Sequence, residues 1–124
     1  MDGHRKAQEI VNEGSDVLVV MCSCPDIGTA ETLAAGLVEH RLAACVSILP
    51  AVRSVYRWQG KTNADSETLM LVKTSRAALA GLEAWLVEQH PYDLPEIIAL
   101  PVQAGLPAYL DWVVNETGHT EHEQ

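Results

Sequence analysis

The chain has 124 residues, 48% of them hydrophobic, and only three cysteines. That is enough for one domain whose core needs no disulfide staples, and it excludes a disordered chain. A formal net charge of -9 argues against a dedicated nucleic-acid binder, which carries a strong basic excess.

The charge is unevenly spread. Arg41, Arg53, Arg57, Lys61, Lys73 and Arg76 face only Asp65 and Glu67 within residues 41–76, whereas acids dominate both flanks. A basic middle segment can guide a small anion or pair with the chain's own acids. The opening "MDGHRKAQEIVNEG" is polar, and no apolar run is long enough to span a bilayer. A cytoplasmic protein with reduced thiols and no membrane partner is expected.

Residues 1–15 read as a flexible arm, 16–117 as the folded domain and 118–124 as a disordered tail. "DVLVVMC" (16–22) is dense in Val and reads as a buried strand. Pro25 is expected to stop it. Asp26 is a suitable N-cap for a helix whose apolar stripe is Ile27, Ala30, Leu33, Ala34 and Leu37, ending near Arg41. "AACVSILP" (43–50) and "AVRSVYRWQ" (51–59) read as one long strand bent at Pro50. Val52, Tyr56 and Trp58 share one of its faces, and Arg53, Val55 and Arg57 the other.

Gly60 is expected to open a loop, and "ETLMLVKT" (67–74) to return as a strand. Ser75 is expected to cap a second helix with Leu79, Leu82 and Leu86 on its buried stripe. That helix ends before Pro91. "HPYDLP" is a stiff loop, "EIIALP" the last core strand, and Pro107 opens a final helix. The order strand, helix, strand, strand, helix, strand predicts an α+β, ferredoxin-like βαββαβ sandwich with an extended hairpin and an extra C-terminal helix. One sheet face is left for solvent or a partner.

Three segments carry a resemblance: "RLAACV", "YRWQGK" and "HPYDLPEIIALP", in that order within residues 17–113. With them the chain resembles the CutA family of divalent-cation tolerance proteins. The resemblance implies a homotrimer in which the long hairpins cross subunits and join three sheets edge to edge. It implies copper or another divalent metal as the bound ion, a role in metal tolerance, and no enzymatic activity. The architecture is also similar to PII-like signalling trimers. A small anionic effector between subunits, near Arg53, Arg57, Lys61 and Lys73, is the alternative.

The family's metal site implies two ligands here. Cys22 stands at the end of the first strand and His90 just before "PY". Gln89 occupies the place of a further family histidine, and Cys24 is an additional thiol that could substitute for it. Tyr92 and Glu96 are candidate outer-shell groups. Both thiols could instead be small buried hydrophobes, and His90 a histidine favoured at a helix C-terminus. Convergence of the Cys22 and Cys24 sulfurs is expected to require a turn after Cys22, forced by Pro25. Cys45 is expected in the core, His40 on a helix surface, and His4, His119 and His122 in solvated tails. Gly60-Lys61-Thr62 imitates a P-loop end, but Val55 stands where that motif needs glycine.

Overall fold

The computed structural model describes residues 14–118. The expectations for residues 1–13 and 119–124, His4, His119 and His122 among them, lie outside the described residues. Four strands form one antiparallel sheet: β1 (Val17–Cys24), β2 (Cys45–Trp58), β3 (Lys61–Ser75) and β4 (Ile97–Pro101), in the order β2-β3-β1-β4. Helices α1 (Ile27–Glu39) and α2 (Arg76–Gln89) cover one face, and α3 (Pro107–Glu116) follows β4. This is the expected ferredoxin-like arrangement.

The core lies between the sheet and α1 and α2. Strand positions two apart share a face, so Val20, Cys22 and Cys24 of β1 and Met70 and Val72 of β3 all point inward. They meet Ala30, Leu33 and Leu37 of α1 and Leu82 and Leu86 of α2. Asp26 caps α1 as expected, accepting a hydrogen bond from the Thr29 N–H at 2.7 Å. The helix stops at Glu39, earlier than its stripe suggested, because Arg41 has a left-handed φ of 59°. Ser75 stands at the N-cap of α2 but makes no cap hydrogen bond with its side chain. Its Oγ accepts instead from the Thr117 hydroxyl at 2.7 Å, tying the end of α3 to the start of α2.

Two strands outrun their expected limits. β1 stays regular to Cys24, which pairs with Thr68. β3 begins at Lys61, six positions before Glu67, because Gln59 and Gly60 form a two-residue turn with φ of 52° and 77°. Positive φ at both central residues gives the hairpin turn whose twist matches its strands. The bend at Pro50 is a bulge: β2 advances three residues from Leu49 to Val52 while β3 advances two, from Leu69 to Glu67. Ala51 accommodates it with a φ of 61°.

The second sheet face is only partly covered. Leu110 and Val113 of α3 close over Val17 at one end. Cys45 lies on this side, half-buried and hydrogen-bonding with Tyr109, whereas its neighbours Val46 and Ile48 face the core. The expectation of a core Cys45 therefore fails, because strand alternation gives the core to the residue after it. Further along, Leu49, Ile98 and Leu100 remain 40–49% exposed.

Candidate metal centre

The site forms where β1 ends and the proline loop passes beneath it. Cys22 and Cys24 are fully buried, and His90, just after α2, is 7% exposed. One ligand atom from each of these three lies within 4.8 Å of the other two. The two sulfurs converge without any turn: β1 is regular through Cys24, and residues two apart in a strand project to the same face. The expected break after Cys22 does not occur, and the pleat alone supplies the convergence.

His90 is oriented by the backbone. Nδ1 accepts from the Tyr92 N–H at 3.1 Å, since an amide can only donate. Nε2 must then carry the proton of the neutral ring and donate it to the Ser23 carbonyl at 2.8 Å. The Tyr92 ring rests against the imidazole at a centroid distance of 4.8 Å. This clamp exists because Pro91 and Pro95 stiffen the loop that carries Tyr92.

The thiols are linked. Cys22 donates a hydrogen bond to Cys24; this bond, with burial second, pushes the Cys22 thiol well up. The same bond lowers Cys24, whose sulfur accepts it, against the opposing effects of burial, Asp26 and Glu67.

Two carboxylates border this trio. The Ser23 hydroxyl donates to Glu96 at 3.0 Å, and the Tyr92 hydroxyl donates to Glu67 at 2.8 Å. Burial and this bond to Glu67 push the Tyr92 phenol up, so it stays a donor. The surroundings are acidic, which disfavours an anion and favours a cation. Two thiols and an imidazole form a soft donor set that suits copper(I) or zinc. Two sulfurs each about 2.3 Å from an ion lie at most about 4.6 Å apart, so the cluster fits a metal with little rearrangement.

Sequence reasoning selected Cys22 and His90, and the fold brings them together. It also weighed Cys24, Tyr92 and Glu96, all of which lie here. Glu67 was missed. It reaches Tyr92 across 25 positions of chain, and nothing local in "SETLM" announces that contact. The signal for Cys24 was available in the two-residue strand period. Gln89 is exposed and lines a groove of about 750 Å³ with Trp85, Pro91 and α1, outside the donor cluster.

The basic residues are dispersed. Arg53 bonds to the Ser66 hydroxyl at 3.2 Å and Arg57 to the Gly60 carbonyl at 3.4 Å, both on the hairpin. Lys73 bonds to the Ser47 hydroxyl at 2.6 Å, further down the sheet. Among the described residues, no helix is long and apolar enough to cross a membrane.

The family described as "CutA1 divalent ion tolerance protein" matches residues 18–116. The chain is similar to the divalent-cation tolerance protein CutA of Thermus thermophilus, with 48% identity over 100 residues, covering 81% of this chain and 97% of that protein. The protein of the same name from Pectobacterium atrosepticum is 46% identical over 98 residues, covering 79% of this chain and 89% of its own. The solved structure of the Thermus thermophilus protein gives a TM-score of 0.80 at 47% identity, covering 82% of this chain and 99% of that one. A family match over residues 18–116, with relatives at this identity and the same fold, places the chain in the CutA1 divalent ion tolerance family.

Proposed function

We propose that this protein binds copper at the base of β1, with Cys22 and His90 as ligands, and acts in tolerance or response to metal ions rather than as a catalyst. The observation that carries this reading is the buried convergence of thiols and imidazole within 4.8 Å, in acidic surroundings. Relatives named for divalent-cation tolerance support the metal as cargo. Free thiols at the site suit a reducing compartment, and the cytoplasm is the proposed location.

The functional unit in this reading is a homotrimer. Its support is the uncovered apolar sheet face together with Val55 at 70% and Trp58 at 54% exposure on the hairpin. A surface of that kind marks an interface. The alternative, a signalling trimer holding a small anionic effector between subunits, draws on the basic hairpin residues. Arg53, Arg57 and Lys73 each hold a neighbour within the chain, which weighs against it.

Anaerobic copper titration against a competing chelator tests the proposal. Wild type should bind, and Cys22→Ser should lose binding. A Cys22→Ser protein that binds as tightly as wild type overturns the site. A chain ending at Gly118 should retain binding; loss there would assign the metal to the histidine-bearing tail. A thermal shift with nucleotides or carboxylates, and none with copper, would favour the effector reading.

A further inference from the structure

We propose that Cys24, rather than His90, is the principal partner of Cys22, so that the site is a two-thiolate clamp for monovalent copper with His90 as a weaker third ligand. This rests on the copper-site reading above and assigns its ligand order.

Three observations support the order. Cys22 and Cys24 are both fully buried on one regular strand, so the backbone itself aims both sulfurs at the same point. Neither thiol holds a short hydrogen bond to the backbone that a metal would break: Cys22 reaches only the Ser23 carbonyl, at 3.9 Å. His90 is in the opposite condition. A metal on Nδ1 strips the Tyr92 N–H of its acceptor. A metal on Nε2 strips the Ser23 carbonyl of its donor and moves the ring proton to Nδ1, where it would confront that same N–H. Either choice costs a backbone group its partner, the buried Ser23 carbonyl or the partly buried Tyr92 N–H. The harder oxygen donors are also engaged, Glu96 by Ser23 and Glu67 by Tyr92. Neither glutamate belongs to the cluster whose ligand atoms lie within 4.8 Å of one another, which holds only Cys22, Cys24 and His90, and two sulfurs suit a soft monovalent ion best. On coordination each thiol loses its proton to solvent, and no electron is transferred.

The test compares copper(I) affinity, under anaerobic competition, of wild type, Cys24→Ala, Cys24→Ser and His90→Ala. Circular dichroism and oligomer mass confirm the fold of each. Cys24→Ser, nearly isosteric, serves if the alanine variant does not fold. Loss of Cys24 should weaken binding by more than about a hundredfold, beyond the 10–100-fold typical of losing an outer-shell partner. His90→Ala should stay within that range. X-ray absorption at the copper edge should show two sulfur ligands in wild type and one in either Cys24 variant. Wild-type affinity in the Cys24 variants, with Cys22→Ser inactive, overturns the clamp and leaves a Cys22–His90 site intact. A larger loss in His90→Ala than in the Cys24 variants overturns the order. Absence of copper(I) binding by wild type overturns both readings.

Discussion

At the scale of single residues, the site depends on who holds each proton. Cys22 is kept protonated by its hydrogen bond to Cys24 and by burial. Copper must displace that proton, because the thiolate is the ligand. The sign follows directly: a proton bound to the free site and released on metal binding makes affinity rise with pH. Apparent copper(I) affinity should therefore increase by about tenfold per pH unit for each proton displaced. Competition titrations between pH 6 and 8 check this, and a flat profile would show that the thiols do not coordinate. Cys22 and His90 were legible through the family resemblance, which places a ligand cysteine at the end of the first strand and a ligand histidine just before the proline loop. The clamp on His90 was not, since the Ser23 carbonyl that receives Nε2 stands 67 positions away and backbone acceptors leave no mark in side-chain chemistry.

At the scale of elements, the site is held by packing that the sequence shows only in part. Helices α1 and α2 meet where Gly36 admits the Trp85 ring; a Cβ there would lie 2.5 Å from the Trp85 Cη2. In an unobstructed helix, Gly→Ala gains about 1 kcal/mol. Here overpacking, costing about 1–3 kcal/mol, should win. Gly36→Ala should lower the denaturant midpoint, and Gly36→Ala with Trp85→Ala should be less destabilised than the two single changes added together. The long hairpin shows the other limit of sequence reading. "KTNADS" is polar and lacks the apolar alternation that marks a strand. It is extended because the Gln59-Gly60 turn sets the register for everything behind it, and its pairing partner "VRSVYRW" supplies the backbone bonds. The Pro50 bend was legible, since proline removes a ladder donor wherever it falls in a strand.

At the scale of the whole molecule, the uncovered sheet face is the feature a single chain leaves unresolved. Pairing in register places Val19, Met21, Leu69, Leu71, Ile98 and Leu100 on that face, and α3 covers only its far end. The βαββαβ order was legible in the alternation of apolar periods, but which strand residues face a partner depends on pairing register, which no short stretch encodes. If three chains close over this face, Leu100→Glu should lower the mass measured by sedimentation from three chains toward one. An unchanged trimer would place the interface elsewhere. The metal reading is independent of assembly, because Cys22, Cys24 and His90 come from one chain. The most direct test is therefore the copper(I) stoichiometry of the wild-type protein, titrated anaerobically against a chelator of known affinity. One tightly held ion per chain is the predicted result. A chain that takes up no copper(I) while fully reduced would contradict the account and leave Cys22 and Cys24 as core thiols.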